Sequence, residues 1–326
     1  MKVAVTGGAG YIGSVTSECL LEKGHEVVIV DNLSTGHEEA VERGAAFHRC
    51  DLLDTEAVRK VLSTGIEAVC HFAAFSQVAE SVSDPLKYYR NNVCGAVSLA
   101  AAMRDAGVTD ILFSSSAAVY GEPDSTPINE DSRLQPVNAY GGTKLAVERM
   151  LSDCSKAWGL RTLSLRYFNA AGATGKHGED HRPETHLIPL VLDAAAGRRD
   201  ELVIYGDDYP TIDGTCVRDY IHVKDLAEAH LLGLEKLPAG CTGALNLGNG
   251  RGFSVLQVIE AASRVTGNDI PFRMGARRSG DPAVLVAASA RAEEILGWKR
   301  RHHEIDVIIE DAYRWKRDHP GGYASA

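Results

Sequence analysis

Residues 5–14 read VTGGAGYIGS, and this segment decides how the first half of the chain should fold. An apolar strand over Lys2–Val5 runs into it, a helical stretch over Ser14–Lys23 follows, and the next strand, Glu26–Val30, ends at Asp31. A strand, a glycine-rich turn, a helix, a strand and an acid follow in this order in dinucleotide-binding βαβ units. The glycine spacing G-x-x-G-x-x-G permits a tight turn and lets a pyrophosphate approach the helix N-terminus. The segment therefore predicts a dinucleotide site.

Asp31 indicates which dinucleotide would bind. It lies 18 residues after Gly13, where a carboxylate would accept hydrogen bonds from the hydroxyl groups of the adenosine ribose. Its negative charge would repel the 2′-phosphate of NADP. NAD is therefore the predicted cofactor, and an NADPH-dependent reductase is disfavoured.

Strand and helix patterns continue to alternate beyond this unit. We predict strands over 45–48, 67–72, 110–113 and 161–166, and helices over 55–62, about 78–104 and about 138–157. This alternation is typical of an α/β fold with a Rossmann-like doubly wound parallel sheet. Ligands bind beyond the carboxyl ends of the strands in such sheets. The segments predicted at those ends are Gly7–Gly13, Asp31, Asp51, Phe72–Ala74 and Ser114–Ser116.

The pattern changes after about Asn169. Residues 170–185 are rich in loop-forming types, a helix is predicted over Leu187–Ala196 and a strand over Leu202–Tyr205, and later elements alternate less regularly. We predict an NAD-binding Rossmann domain over residues 1–170. Residues 171–326 are expected to form a smaller α/β, substrate-binding C-terminal domain, with some segments returning to the first domain.

Composition excludes several classes of partner. The net charge of −10 argues against a nucleic-acid or anionic-membrane surface, since either needs a basic face. The sequence has no apolar run of transmembrane length and no evident signal peptide. Its seven cysteines are scattered without a C-x-x-C pair, which is typical of reduced thiols. We expect a cytoplasmic enzyme that binds neither nucleic acid nor membrane.

The segment Tyr140-Gly-Gly-Thr-Lys144 carries candidate acid–base chemistry. Positions i and i+4 share one face of a helix, so an ammonium would lie beside a phenol and lower the pKa of that phenol. Ser116, at a predicted strand end, would hydrogen-bond the reacting oxygen. Such a set removes a hydroxyl proton while a hydride leaves the same carbon for a nicotinamide. The spacing alone is equally compatible with a solvated helix face.

Longer motifs carry a resemblance. The chain is similar to the extended short-chain dehydrogenase/reductase family, and within it to the UDP-glucose (UDP-galactose) 4-epimerases. The matching segments span nearly the whole chain: residues 5–14, 31–33, 71–74, 88–93, 113–121, 140–144, 166–169, 205–210 and 213–223. The last of them, DGTCVRDYIHV, is far more specific than the glycines.

The resemblance implies roles for individual residues. Tyr140 would be the base, Lys144 its electrostatic partner and Ser116 the hydroxyl that assists. Positions expected around NAD are Gly7, Gly10, Tyr11, Ile12, Gly13, Asp31, Asn32, Asp51, Leu52, Phe72, Ala73, Ala74, Asn92, Ser114, Tyr140, Lys144 and Tyr167. Positions expected to hold a UDP-sugar substrate are Ser116, Tyr140, Asn169, Leu187, Val203, Tyr205, Arg218, Arg278 and Asp281.

The implied reaction interconverts UDP-galactose and UDP-glucose through a transient 4-keto sugar and bound NADH. The family also implies a homodimer, in which the predicted helices over 78–104 and 138–157 form a four-helix bundle. Relatives that dehydrate or decarboxylate place carboxylates just after the strand-end serine, where this chain has Ala117 and Ala118. This absence favours plain epimerisation. A non-catalytic NAD-binding regulator is disfavoured, because such proteins tend to lose the Tyr/Lys pair.

Two departures from the family leave the substrate open. Ser76 stands where many epimerases have a Lys near the cofactor pyrophosphate, so one phosphate contact is lost or replaced. Leu285 stands where some have a bulky Tyr at the sugar pocket, and the smaller side chain would admit N-acetyl groups. UDP-GlcNAc, UDP-GalNAc and UDP-glucuronate therefore remain alternative substrates.

A histidine-rich stretch begins at His177. His177, His181 and His186, with Glu179, Asp180 and Glu184, have spacings that could gather a metal. No predicted helix holds them, and prolines and glycines surround them. We expect a solvated loop beside the substrate entrance and no metal.

Overall fold

Seven parallel strands form the central sheet of the structure, a computed structural model that describes residues 1–278 and 281–323. Their spatial order is β10-β6-β5-β4-β1-β2-β3, with the bounds β1 Lys2–Thr6, β2 Glu26–Asp31, β3 Ala46–Arg49, β4 Ala68–His71, β5 Asp110–Ser116, β6 Arg161–Tyr167 and β10 Gly243–Leu247. The strand order reverses between β1 and β4, which pair side by side. Ligands bind at such a reversal. The predicted doubly wound parallel sheet is confirmed.

Helices cover both faces of this sheet: α1 (Tyr11–Glu22) and α8 (Val223–Lys236) on one, α2 (Thr55–Leu62), α5 (Gly95–Ala106) and α6 (Ala139–Trp158) on the other. Successive side chains of each strand point to opposite faces of the sheet, so each strand contributes to the core on both faces. Val3 and Val5 of β1 pack under α1, whereas Ala4 faces α2 and α5. The helices on both faces therefore fix the sheet, and the carboxyl ends of its parallel strands lie along one edge.

The predicted helix over 78–104 is wrong as a single element. The structure has α3 (Val78–Ser83), α4 (Pro85–Tyr88), a π-helix over Tyr89–Cys94, and then α5. Pro85 cannot donate the backbone hydrogen bond that would continue α3, and the Asp84 carboxylate instead accepts the Lys87 amide at 3.2 Å to begin α4. Asn92 lies in the π-helix and is buried.

The later part of the chain builds two small sheets and four further helices. Strand β9 is central in the first of these sheets, with β7, β11 and β13 pairing to it, and β12 pairs with β8 in the second. The bounds are β7 Asn169–Ala171, α7 Leu187–Ala195, β8 Leu202–Tyr205, β9 Val217–His222, β11 Gly252–Ser254, α9 Val255–Thr266, β12 Phe272–Gly275, β13 Val284–Leu285, α10 Ala290–Leu296 and α11 Ile305–Asp318. A separate core joins α7, α9 and α11.

Strand β10 completes the large sheet from the carboxyl-terminal half. It pairs with β6 in parallel, from Gly243 opposite Leu163 to Leu247 opposite Tyr167. Helix α8, which precedes β10, packs against α1. The segment 223–247 thus lies with the first 170 residues, and the domain division at residue 170 stays a prediction.

Among the described helices, none combines the length and the apolar character needed to cross a membrane.

Candidate active site

The glycine turn between β1 and α1 is shaped by backbone contacts that a side chain would prevent. Gly7 has a φ of +73°, and a Cβ there would lie 2.5 Å from the amide nitrogen of Ala73. A Cβ on Gly13 would lie 2.2 Å from the carbonyl oxygen of Gly7. Both distances are far below contact, so only glycine fits. The turn consequently presses the start of α1 against the ends of β1 and β4.

The N-terminus of α1 is suited to an anion. Gly10 is the N-cap residue, no side chain caps the helix, and the first turn has no acidic residue. The first amides of a helix lack internal partners and carry a partial positive charge. A Cβ on Gly10 would meet only the Gly7 oxygen, at 3.3 Å, so the turn leaves room for a ligand to approach the backbone. A pyrophosphate fits this cradle.

Asp31 lies at the end of β2 beside the turn. One carboxylate oxygen accepts the amide of Ala9 at 3.0 Å, and the other accepts the amide of Leu33 at 2.8 Å. Burial raises the pKa of Asp31, while these backbone hydrogen bonds oppose the shift. Each carboxylate oxygen can accept a further bond. Asp31 therefore fits the predicted role toward ribose hydroxyls, and the residues present fit NAD as a whole.

Other residues predicted to surround NAD lie at the same edge of the sheet. The Tyr11 hydroxyl donates to the Gly172 carbonyl at 2.6 Å, and the Asn32 amide donates to Asp51 at 3.0 Å. The remaining positions are Ile12 in α1, Leu52 after β3, Phe72, Ala73 and Ala74 after β4, Ser114 in β5 and Tyr167 at the end of β6. The predicted convergence of strand ends is confirmed.

Asn92 has a connecting role that its sequence position did not reveal. Its side-chain oxygen accepts the Phe75 amide at 2.9 Å, and its amide group donates to the Phe75 carbonyl at 3.0 Å and to the Thr143 hydroxyl at 3.1 Å. It thus ties the loop after β4 to α6. Its side chain has no donor left over.

Helix α6 brings Tyr140 to Ser116. The Asn138 side chain caps the helix by accepting the Gly141 amide at 2.8 Å, and a Cβ on Gly141 would lie 2.4 Å from the Ala118 carbonyl oxygen. This contact holds the first turn of α6 against the segment that follows β5. Ser116 lies close enough to the Tyr140 phenol to lower its pKa, against the larger effect of burial. The structure thus places these two predicted side chains next to each other.

Lys144 lies below Tyr140 and is almost fully buried. Its Nζ donates to the Ser114 carbonyl at 2.7 Å and lies 5.7 Å from the centre of the Tyr140 ring. Burial lowers the pKa of Lys144 from 10.5 to about 7, and the charge of Glu148 opposes this shift. The three predicted catalytic side chains, Ser116, Tyr140 and Lys144, are therefore together at the end of β5.

One electrostatic expectation is wrong. We predicted that Lys144 would lower the pKa of the Tyr140 phenol, but burial raises that pKa and the neighbouring Ser116 only partly opposes the rise. Burial removes the water that would solvate a phenolate. In the nucleotide-free protein the Lys144 Nζ donates to the Ser114 carbonyl and lies 5.7 Å from the centre of the Tyr140 ring, and its charge does not outweigh this burial.

A buried ion pair beneath Lys144 was missed by the sequence reasoning. Arg166 contacts both carboxylate oxygens of Glu148, at 2.9 and 2.6 Å, and both side chains are buried. Glu148 lies one helical turn after Lys144, a spacing that could have indicated it. The Ser115 hydroxyl also donates to Glu148. The carboxylate thus connects α6 to β5 and β6 and helps to retain the Lys144 proton.

Four of the predicted substrate residues lie close together. Arg218 forms an ion pair with Asp281, and the Arg278 guanidinium lies 4.0 Å from the centre of the Tyr205 ring. The Asp281 amide donates to the Arg278 carbonyl at 3.4 Å, which links the two pairs. These four residues form one continuous group. Arg278 is exposed at its edge.

The other predicted substrate residues are placed by their elements. Val203 shares with Tyr205 the face of β8 that points away from the core, and Leu187 begins α7. The Asn169 side chain donates to the Asp219 carbonyl at 3.0 Å. Leu285 lies opposite Arg218 in the β9–β13 pairing and packs against the buried cluster that contains Ala117 and Tyr120, whereas Ser76 is exposed after β4.

The histidine-rich stretch is not the solvated loop that we predicted. The side chain of Glu179 is 9% exposed, that of Glu184 14% and that of His181 23%. Contacts with these two carboxylates outweigh burial and raise the pKa of His181 to about 9. The same two acids raise the pKa of His186 to about 10. The stretch is an ordered ionic cluster next to Tyr11.

Comparisons with known proteins agree with this geometry. The NAD dependent epimerase/dehydratase family matches residues 3–248. The UDP-glucose 4-epimerase of Lacticaseibacillus casei is 51% identical to this chain, with 99% of each covered. A crystal structure of a UDP-glucose 4-epimerase superimposes with a TM-score of 0.97 at 51% identity, with 100% of each chain covered. The UDP-glucose 4-epimerase of Brucella ovis in complex with NAD has a TM-score of 0.93 at 50% identity, covering 96% of this chain and 97% of its own.

The low pKa of Lys144 predicts a pH dependence of stability. In the unfolded chain a lysine keeps its proton to about pH 10.4, whereas folded, nucleotide-free Lys144 loses it near pH 7. The unfolded state therefore binds more protons in this window, and the free energy of unfolding rises with pH. Relative to Lys144→Met, wild type should gain on the order of 1 kcal/mol per pH unit between pH 7 and 9.

Urea unfolding of the nucleotide-free proteins at pH 7, 8 and 9 measures this difference. Lys156→Met is the control, since Lys156 lies on the same helix with its side chain 75% exposed, and its difference from wild type should stay constant with pH. A constant difference for Lys144→Met would contradict the interpretation.

Proposed function

The chain belongs to the NAD dependent epimerase/dehydratase family, and on this basis we propose that it is a UDP-hexose 4-epimerase that interconverts UDP-galactose and UDP-glucose. The observation that carries the proposal is the grouping of Tyr140 with Ser116 and buried Lys144 at the strand ends where NAD fits. The relatives named above are UDP-glucose 4-epimerases at about half identity over the full chain. The protein is accordingly an isomerase that depends on NAD.

Proton transfer at the sugar C4 hydroxyl is assigned to Tyr140. Its phenolate oxygen accepts the O4 proton, and the Ser116 hydroxyl hydrogen-bonds the same oxygen as it becomes a carbonyl. NAD held at the glycine turn and Asp31 would supply reversible hydride transfer at C4, which makes epimerisation through a transient 4-keto sugar redox-neutral. Tyr140 then gives the proton back. Lys144 stabilises the phenolate by its charge, which Glu148 helps to maintain.

Binding of the nucleotide diphosphate is assigned to the arginine group. Guanidinium groups bind phosphate oxygens in a bidentate manner, and Arg218 and Arg278 lie in one contact chain with Tyr205 and Asp281. Asp281 holds the Arg218 guanidinium in place before a ligand arrives. Leu187, Val203 and Asn169 are proposed to surround the rest of the substrate.

The residues after Ser116 favour epimerisation over dehydration. Ala117 is buried and Ala118 is half-buried in the turn that follows β5, and neither can donate or accept a proton. Removal of water from the 4-keto sugar requires an acid near C5 or C6. With alanines here, the 4-keto sugar is reduced again.

Tyr140→Phe tests the assigned base. The variant keeps the ring and its packing but loses the proton-accepting oxygen, so turnover of UDP-galactose should fall by about 10²- to 10⁴-fold. NAD should remain bound, as measured by the nucleotide released when the purified protein is denatured. A variant that retains NAD and wild-type turnover would refute the role of Tyr140. A wild type that holds NAD but does not interconvert UDP-sugars would refute the function.

We further propose that the sugar pocket admits N-acetyl groups. Leu285 is half-buried, lies opposite Arg218 and packs against the cluster that contains Ala117 and Tyr120, which places it between the arginine group and the segment after β5. A tyrosine here would fill the space that a 2-acetamido group requires. UDP-GlcNAc is thus a second substrate, and UDP-glucuronate is the remaining alternative.

A side-by-side assay of UDP-glucose, UDP-GlcNAc and UDP-glucuronate tests this proposal. Wild type should epimerise UDP-GlcNAc, whereas Leu285→Tyr should lose about 10-fold or more in kcat/KM for UDP-GlcNAc and keep its activity on UDP-glucose. Leu285→Met, which conserves volume, is the matched control and should keep both activities. If wild type fails to turn over UDP-GlcNAc, the wide pocket is disproved.

We also propose a cytoplasmic homodimer. The helices from α3 to α5 expose apolar side chains toward solvent, among them Leu86 at 79%, Val82 at 66% and Val97 at 48%. Such a patch on a helix pair supports a four-helix interface with a second copy. The seven cysteines are free, which suits a reducing compartment.

Light scattering after size-exclusion chromatography measures the oligomeric state. Wild type should elute with twice the mass of the chain, and Leu86→Glu should shift it to the monomer, because a charge would be buried without a partner. Ile212→Glu changes an equally exposed apolar side chain in the turn after β8 and should remain dimeric. A monomeric wild type would exclude the proposed assembly.

A further inference from the structure

Four potential metal ligands converge in the segment before α7. The side chains of Glu179, His181, Glu184 and His186, termed here the 179–186 cluster, each offer one ligand atom, and these four atoms lie within 4.8 Å of one another. The Nδ1 atoms of His181 and His186 are 3.2 and 2.8 Å from one Glu179 oxygen. They are 3.7 and 3.2 Å from the oxygens of Glu184.

These distances are of the size found between the ligands of a tetrahedral site. With metal–ligand bonds of about 2.0–2.1 Å, the ligand atoms of a tetrahedral zinc centre are separated by about 3.3 Å. The nitrogen–oxygen separations are 3.2 and 2.8 Å to one oxygen of Glu179, and 3.7 and 3.2 Å to the two oxygens of Glu184, either of which a small rotation would present. A central ion would therefore need only small side-chain movements.

Hydrogen bonding within the cluster is incomplete. The Nδ1 atom of His181 is fully buried, and within the described part of the chain it has no partner with hydrogen-bond geometry, although two carboxylates lie within 3.7 Å. The His181 nitrogen and the carboxylate oxygens are thus close together without the alignment of a hydrogen bond. Ligands that share one cation are arranged in this way. A buried polar atom without a partner calls for a ligand of this kind.

The second His/Glu group of the structure provides a contrast. Glu18, Glu42 and His177 are also clustered and buried. There the Lys176 ammonium already lies 2.8 Å from Glu42 and 3.3 Å from Glu18, so a fixed cation occupies the place of a metal. No lysine is recorded in ion-pair contact with the described residues of the 179–186 cluster. Only the latter is arranged for a free ion.

We propose that the 179–186 cluster is a structural site for a divalent cation of the zinc class, bound by two imidazole nitrogens and two carboxylates. Imidazole favours zinc and its neighbours over magnesium and calcium, which prefer six or more oxygen ligands. Two carboxylates and a divalent ion are neutral together, so the ion would be held in the cluster without an unpaired charge.

The position of the cluster indicates what such an ion would hold. The His181 ring is 6.5 Å from the Tyr11 ring at the start of α1, the Gln77 amide donates to the Pro183 carbonyl at 3.0 Å, and His186 is the N-cap residue of α7. The ion would thus fix residues 179–186, which contact Tyr11 next to the glycine turn and lead directly into Leu187. This inference does not depend on the proposed reaction.

Cobalt binding to the full-length protein tests the site. After chelator treatment and removal of the chelator, Co²⁺ alone is added, the protein is gel-filtered, and metal content and visible spectrum are measured. Wild type should retain about one ion per chain with the intense visible bands of tetrahedral cobalt and no thiolate charge-transfer band. Zn²⁺ should displace the cobalt, whereas a large excess of Ca²⁺ or Mg²⁺ should not.

Variants separate this site from adventitious binding. His181→Gln and Glu179→Gln should lose the ion, and His186→Cys should keep it and gain a thiolate charge-transfer band, since cysteine is itself a zinc ligand. His48→Gln, on the exposed β3, and His177→Gln, in the lysine-paired group, should bind as wild type does. The proposal would be overturned if wild type bound no ion, or if both His181→Gln and Glu179→Gln still bound it. It would also be overturned if His186→Cys bound the ion without the new band.

Discussion

The close approach of two backbone segments at Gly7 is the constraint on which the rest of the molecule depends. A Cβ there would lie 2.5 Å from the Ala73 amide, and one at Gly13 would lie 2.2 Å from the Gly7 carbonyl. Because no side chain intervenes, α1 begins directly against the ends of β1 and β4, where the strand order reverses. The anion-binding amides, Asp31 and the loop after β4 therefore face one crevice, and the chemistry at the end of β5 opens beside it.

Burial then decides the electrostatics of this crevice. It raises the pKa of Tyr140 and lowers that of Lys144 to about 7, so burial favours the neutral form of both groups. The Glu148–Arg166 pair behind them supplies a fixed field that favours the charged lysine. A phenol poised in this way gives up its proton only when charge is provided at the site, and this suits a base that takes up and returns one proton in each cycle.

Elements with strong local patterns were predictable. The bounds of α2 and β8 agree with the prediction, and α6 differs by one residue at each end, because apolar periodicity and turn residues act over a few positions. The division of the 78–104 helix was missed, since Pro85 was read as part of a continuous pattern. The return of Gly243–Leu247 to the large sheet could be anticipated only in outline, because its partner, β6, lies some 80 residues earlier in the chain.

The sequence by itself determined the sheet and the cofactor class and singled out Ser116, Tyr140 and Lys144 as candidate reacting side chains, because glycine spacing, strand-end polarity and the Tyr-x-x-x-Lys turn are local features. Only the tertiary structure decided how those groups ionise and what the histidine-rich segment is. Desolvation and charge pairing depend on what surrounds a group in space. Glu148, Arg166 and Ser115 meet from three elements, and the His181 ring packs against Tyr11 from the start of the chain, so local spacing could name some members of each cluster but not its contacts or burial.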